Sequence, residues 1–470
     1  MTLSRRDALK GSLATGAATL AGCATTPNAN ITTDTAATQT APSLKLPLLD
    51  RLLFNQPRVQ ALMEAQKVDL ILSGDPVNIY YLTNQRPVSA MLGTNGYVFA
   101  AYSAHGNDKP TLIEGQLGHY FTAPPEPAVS LINRNYYGIP SDFEAFLAGD
   151  TPQDYADMEG LPAFRPRIHD DHPLSPSEAR RQRQMFEEGG PLAAGIEGAL
   201  YRELTAAKLP NKTVAIDDPT LRPFVERLNP DLRIVNGDRL LKAARLQKTP
   251  MELEMMRYVA ANNAEAGHAA ALTIRDGATF QELRQAFLTN CGQRAMSMQY
   301  MMVDNLIPNL TPGEIKAGRS FLIDCVGVFE GYHGDYGRTV CVGEPNARMK
   351  PIIAGMSFVW DRLMEGLKPG VKYDDVRALS ARLIKDLNVD TNLIINPHSV
   401  GLHHTDEPSA AEAGYFQKQN LTLQENMVIS VDMPLLDTGL GGSAHLEDLV
   451  LITKDGPELL NESNDRLIVV

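Results

Sequence analysis

The stretch Phe321 to Val342, FLIDCVGVFEGYHGDYGRTVCV, constrains this chain most. Two apolar runs flank a turn carrying Gly327, Gly331 and Gly334, which predicts a β-hairpin with Asp324 inside the first strand and Asp335 at the start of the second. Keeping a carboxylate ionised in a buried strand costs several kcal/mol unless a cation, a set of donors or a proton offsets its desolvation. Two such acids facing one pocket point to a metal. The plainer arrangement has Asp324 bonding turn amides and Asp335 pairing with Arg338. Against it, the chain goes on to supply His398, Asp432 and Glu447, each beside a strand-like apolar run. Five hard or borderline ligands, four of them carboxylates, are the donor set a dinuclear hydrolytic site requires.

With 470 residues, 43% of them apolar, the chain is long enough for two domains with sizeable cores. The formal net charge of -13, without any Lys/Arg-rich run, gives nucleic-acid binding no electrostatic support. Residues 1–23 read as an export segment, with a charged start from Ser4 to Lys10 and a small-residue, mildly apolar run from Gly11 to Ala21. That run is too short to remain as a membrane-spanning helix. Residues 24–45, rich in Thr, Ala and Asn, form a flexible tether.

Residues 46–245 make the first domain. A helical pattern from Arg51 to Gln66 leads into a short buried strand at Val68 to Leu72, an order that reads as α/β. Pro124 to Pro176, dense in prolines and acids, is expected to be irregular. Within it His169, Asp170, Asp171 and His172 imitate a metal cluster, but neighbours in an extended segment point to opposite sides. Residues 246–470 make the second domain. Thr249-Pro250-Met251-Glu252 and Thr279-Phe280-Gln281-Glu282 each combine an N-cap hydroxyl with a Glu three residues on, and each predicts a helix start. After the hairpin, helices over Met349 to Gly366 and Tyr373 to Leu387 and strands over Leu393 to Ile395, Met427 to Val431 and Leu446 to Thr453 are expected.

The hairpin with Asp324 and Asp335 in D-x10-D spacing followed by GRT, then PHSVGL, ENMVISVDMP and HLEDLVLIT, resembles the pita-bread metallopeptidases, the group of prolidase, aminopeptidase P and methionine aminopeptidase. Arg51 to Pro87 likewise resembles the amino-terminal domain of prolidases and creatinases. The resemblance implies an α/β amino-terminal domain followed by an α+β pita-bread catalytic domain, in which helices cover a curved antiparallel sheet. It further implies two divalent metal ions, with Asp324 chelating the first, Asp335 and Glu447 bridging both, and His398 with Asp432 completing the second. A hydroxide shared by the two ions would attack an Xaa-Pro bond near the amino terminus of a short peptide, and a carboxylate would relay the proton to the leaving amine. Manganese suits the oxygen-dominated donors better than zinc, cobalt or iron. The family also implies a homodimer.

Three departures from the family pattern stand out. Asp432 occupies a position where Glu is usual, and one missing methylene moves the carboxylate by about 1 Å. The family's second histidine is matched here by His403 or His404, of which His404 is taken as the group steadying the tetrahedral intermediate. Upstream of Asp324, Ile307-Pro308-Asn309-Leu310 stands where relatives often carry a substrate-contacting histidine. Arg338 and Thr339 read as support for the ligands, with Arg338 holding a ligand carboxylate in place. Two other readings carry different chemistry: a metal-free, creatinase-like C–N hydrolase, and a surface binding protein with a decayed site.

Arg5 and Arg6 resemble a twin-arginine signal, and Leu20-Ala21-Gly22-Cys23 resembles a lipoprotein cleavage box, which implies export to the periplasmic side and a lipid anchor at Cys23. Cys291, Cys325 and Cys341 are then left, an odd number that cannot all pair within the chain, and buried free thiols are expected.

Overall fold

The computed structural model describes residues 45–106, 109–116, 118–122, 131–138, 173–186, 192–386, 393, 395–412, 414–461 and 465–470. The export segment with Cys23, most of the tether and the His169 to His172 cluster lie outside the described residues. Leu46–Val470 is one compact unit built on two sheets. Among the described residues, no helix is long and apolar enough to cross a membrane.

The first sheet comprises β1 (Leu70–Ser73), β2 (Val98–Ser103), β3 (Thr111–Gly115), β4 (Asn133–Gly138), β5 (Ala193–Ala194), β6 (Thr213–Ile216) and β7 (Arg233–Asn236), in the order β5-β4-β3-β2-β1-β6-β7. It is mixed: β1, β6 and β7 run parallel, while β1, β2 and β3 alternate. Every residue of β1 is buried, as its unbroken apolar run requires. Helix α1 (Gln56–Gln66) begins at an Asn55 cap, five residues later than Arg51, because Asn55 is the first side chain able to accept from an exposed helix-start N–H. Helix α2 (Pro76–Thr83) begins at Asp75, whose carboxylate accepts from the amides of Val77 and Asn78. Inside the stretch expected to be irregular, β4 is a regular strand paired parallel to β3. Its polar start, Asn133-Arg134-Asn135, disguises it, and buried Tyr136 and Tyr137 hold it in place.

The second sheet carries β8 (Ser297–Val303), β9 (Ser320–Phe329), β10 (Tyr332–His333), β11 (Tyr336–Cys341), β12 (His398–Ser399), β13 (Val428–Leu435), β14 (Ala444–Thr453), β15 (Gly456–Leu459) and β16 (Leu467–Val469). Its central path is β10-β9-β11-β14-β13-β12, with β8 on β9, β15 on β14 and β16 on β11. All of these pairings are antiparallel except that of β16. The hairpin turns at Glu330 and Gly331, both with positive φ. Of the strand expected at Leu393 to Ile395, Leu393 and Ile395 are not in a strand and Ile394 lies outside the described residues; pairing begins at His398.

Helix α3 (Gly237–Arg245) links the sheets, and α4 (Pro250–Ala271) and α5 (Phe280–Gln293) follow it, both opened by complete capping boxes. On α4, Asn263 pins the hairpin: its Nδ2 donates to the Cys325 carbonyl at 2.7 Å and its Oδ1 accepts from the Gly327 amide at 2.8 Å. A Cβ at Gly334 would sit 2.5 Å from the Asn263 Cβ, so this contact needs glycine. Helices α6 (Met349–Gly366) and α7 (Tyr373–Asp386) complete the fold. On α6, Val359, Trp360 and Leu363 join Ile429, Val431 and Met433 of β13 in one apolar cluster. The odd-numbered residues of β13 therefore face this core, and the even-numbered ones, Ser430 and Asp432, face the other way. Cys291, Cys325 and Cys341 are all buried and free, with burial pushing the Cys291 thiol up to about 12.

Candidate metal centre

The register of the second sheet aligns the acids. Asp324 pairs with Gly337, Gly337 with Glu447, and Glu447 with Asp432, so a single cross-strand row runs through β9, β11, β14 and β13. Direct cross-strand partners project from the same face. Asp335 precedes Gly337 by two residues and His398 pairs with Ser430, which brings both to that face as well. Candidate ligand atoms of Asp335, His398 and His404 lie within 4.8 Å of one another, as do those of His398, Asp432 and Glu447, and those of Asp324, His445 and Glu447. Thus Asp324, Asp335, His398, His404, Asp432 and Glu447, singled out in the sequence, converge on one region.

Arg338 is the exception and corrects the expectation. One residue out of phase with Gly337, it projects from the opposite face, where its Nη2 donates to Asp448 at 2.7 Å and its guanidinium lies 4.3 Å from the Tyr336 ring centroid. Among the described residues it makes no hydrogen bond to the carboxylates of Asp324, Asp335, Asp432 or Glu447. Its link to the site is the main-chain oxygen of Glu447, which accepts from Nη1 at 2.7 Å. Thr339 clamps the next strand position, accepting from the His445 amide at 2.9 Å and donating to its carbonyl at 3.1 Å.

The electrostatics are those of crowded acids in a dry place. Burial, and then the charge of Asp335, pushes Asp324 up to about 7. Glu447 is raised well above the usual range by burial and by Asp335, Asp432 and Asp324, even though Ser430 Oγ donates to its Oε1 at 2.6 Å. Asp335 ends below its usual value because His404, at 3.3 Å, and His398, at 3.5 Å, outweigh its desolvation. Desolvation lowers His404, but Asp335 more than reverses this and lifts it to about 9. His398 is lowered by burial.

A divalent cation fits this donor set. Asp324 Oδ1, Asp335 Oδ1 and Glu447 Oε2 are buried and have no hydrogen-bond donor among the described residues. Uncompensated carboxylate oxygens at this density are strongly unfavourable, and hard cations coordinated by oxygen relieve them.

Three further groups complete the surroundings. His445, two residues before Glu447, shares its face, as the period of two along HLED requires. Its Nε2 lies 2.8 Å from Asp432 Oδ1 and 3.6 Å from Glu447 Oε2. Tyr300 on β8 brings its hydroxyl to 3.1 Å from His404 Nε2, and burial keeps the phenol protonated. A register shift between Met298 and Tyr300 changes which face Tyr300 presents, so no sequence signal marks it. Asp406 staples the loop carrying His403 and His404: it accepts from the Leu402 amide at 3.1 Å and pairs with buried Arg245 at 2.8 Å. A Cβ at Gly401 would stand 2.5 Å from Asp406 Oδ2, which fixes glycine there.

Comparison with known proteins bears on the family and the fold. Residues 254–454 match the sequence model of metallopeptidase family M24. A Xaa-Pro dipeptidase of Pyrococcus furiosus is 28% identical over 155 residues, 33% of this chain and 43% of the relative. The Xaa-Pro dipeptidase of Pseudoalteromonas atlantica is 36% identical over 160 residues, 30% of this chain and 35% of the relative. The matched stretch thus spans less than half the length of these curated relatives. Among solved structures, the prolidase from Pyrococcus horikoshii superposes with a TM-score of 0.59 at 17% identity, covering 88% of this chain and 99% of that one. The X-Pro aminopeptidase from Thermotoga maritima gives 0.57 at 15% identity, with 88% and 99% covered. The fold is accordingly an α/β amino-terminal part followed by a pita-bread sheet with its helices.

Proposed function

We propose that this chain is a dinuclear metallopeptidase that hydrolyses Xaa-Pro bonds near the amino terminus of short peptides. The observation that carries the proposal is the row Asp324, Gly337, Glu447, Asp432, flanked on the same face by Asp335 and His398. The named activity of the Xaa-Pro dipeptidase relatives supports the substrate class. Asp324 and Asp335 would hold one divalent ion, His398 and Asp432 the other, and Asp335 and Glu447 would bridge them. When bound, such a pair supplies a water acidified toward neutrality and a Lewis acid for the scissile carbonyl. Manganese is the ion we favour, since oxygen donors predominate.

The protein's own groups do the rest. Without ions bound, Asp335 lifts His404 to about 9, and the side chain is 32% exposed, so it can meet a ligand. We assign it the role of donating to the oxygen on which charge develops, with the Tyr300 hydroxyl beside it. Asp432, 24% exposed and bonded to His445, is the acid we assign to carry a proton from the attacking water to the leaving prolyl nitrogen. Asp406 and Arg245 hold the His404 loop still while this happens.

Chelation of the purified protein should abolish hydrolysis of Xaa-Pro dipeptides and tripeptides, and Mn²⁺ should restore it; full activity in metal-free protein would contradict the proposal. Export and anchoring through a lipid on Cys23 belong to the same reading, supported by the Arg5-Arg6 pair and the Leu20 to Cys23 box. In that case Cys23→Ser shifts the protein from membrane to soluble fractions, and an unchanged distribution rejects the anchor. The family's homodimer predicts twice the chain mass in sedimentation equilibrium, and a single chain mass rejects it.

A further inference from the structure

His445 has no part in the ligand set assigned above, yet its surroundings are built for it. It is 2% exposed. Its backbone is clamped on both sides by Thr339, and the adjacent strand position, Gly337, leaves the room its ring occupies. A Cβ on Gly337 would come within 2.4 Å of the ring's Cε1 and Nδ1. Nε2 lies 2.8 Å from Asp432 Oδ1 and 3.6 Å from Glu447 Oε2, and a ring nitrogen of His445 lies within 4.8 Å of a ligand oxygen of Asp324. One N–H can satisfy only one of these oxygens, and Glu447 Oε2 and Asp324 Oδ1 have no donor among the described residues. Donor atoms about 2.1 Å from a common ion stand roughly 3 to 4.2 Å apart, and the 3.6 Å between His445 Nε2 and Glu447 Oε2 falls in that range.

Resting on the dinuclear reading above, we propose that His445 is a sixth ligand, supplying Nε2 to the ion beside Asp324. Each ion then has one imidazole, His445 on one side and His398 on the other. The short Asp432 fits the same picture, since a glutamate there would reach into the space taken by the His445 ring. Borderline nitrogen on the first ion shifts its preference from manganese toward cobalt and zinc.

The competing role is that His445 only orients Asp432 through a hydrogen bond. The full chain, wild type and with His445→Gln, Asp432→Asn or both, is stripped of metal and titrated with Co²⁺, and ions per chain and affinities are read by plasma mass spectrometry and visible absorption. Wild type should bind two ions. His445→Gln should weaken one of them at least tenfold, and the double variant should be weaker than Asp432→Asn alone. If the double variant matches Asp432→Asn, or if His445→Gln binds two ions as wild type does, His445 is not a ligand. Wild type that binds no Co²⁺ fails the dinuclear reading itself and takes this inference with it. Should His445→Gln not fold, the Co²⁺-loaded wild type decides: at least two hyperfine-shifted ring N–H signals are expected, one of them absent from a sample in which His445 alone lacks the ¹⁵N label. A spectrum unchanged by that omission overturns the assignment.

Discussion

At the scale of single residues, one position along a strand separates a candidate metal ligand from a structural ion pair. Asp324, Asp335 and Glu447 project from one face of the sheet, while Arg338 and Asp448, each adjacent to a site position in sequence, project from the other and pair there, both essentially inaccessible. Removing one member of a buried pair leaves the other charge unsolvated. Arg338→Met is therefore expected to cost about 3 to 5 kcal/mol in denaturant unfolding, while the protein that still folds keeps its metal stoichiometry. Loss of both ions without loss of stability would show that Arg338 acts on the site directly. The contrast was invisible along the sequence, because Asp335 and Arg338 lie three residues apart and look like partners until the strand phase is fixed.

At the scale of elements, the site depends on strands approaching closely where a side chain is missing. Gly337 is the cross-strand partner of both Asp324 and Glu447, and its missing Cβ admits the His445 ring. Gly337→Ala should force that ring aside, costing about 1 to 3 kcal/mol of stability as overpacking does, and it should weaken Co²⁺ binding as His445→Gln does. Unchanged binding would mean that the sheet relaxes around the methyl group. Local chemistry made the nearby elements readable in advance: the capping boxes at Thr249 and Thr279, the α6 helix, and the hairpin with its two aspartates all follow from residues within a few positions of one another. What stayed hidden depends on distance in sequence. Arg245 and Asp406 are 161 residues apart, and nothing in either neighbourhood announces their pairing. Likewise β12 is only two residues long and is defined by β13 across from it, so its own sequence could not mark its start.

At the scale of the whole molecule, stability and function draw on different titrating groups. In the first sheet's part of the fold, burial and the nearby Arg134 push His119 down to about 4, and its Nδ1 is bonded to the Tyr136 hydroxyl at 2.8 Å. A histidine depressed on folding costs nothing above its unfolded pKa of about 6.5; as pH falls from there toward 4, the unfolded chain takes up a proton that the folded one refuses. The loss should total on the order of 3 kcal/mol across that window, and His119→Gln should remove it. Urea midpoints at pH 7 and pH 4.5 in the presence of chelator will show whether the variant loses less than wild type; parallel losses would place the acid sensitivity elsewhere. The central claim concerns the other end of the molecule, where four acids and three histidines from β9 to β14 and the His404 loop surround one space. Anomalous diffraction at the manganese edge, from crystals of the Mn²⁺-loaded protein, tests it most directly. Two peaks a few ångströms apart, within coordination distance of Asp324, Asp335, His398, Asp432 and Glu447, are the predicted result. No peak within reach of Asp335 and Glu447 would contradict it.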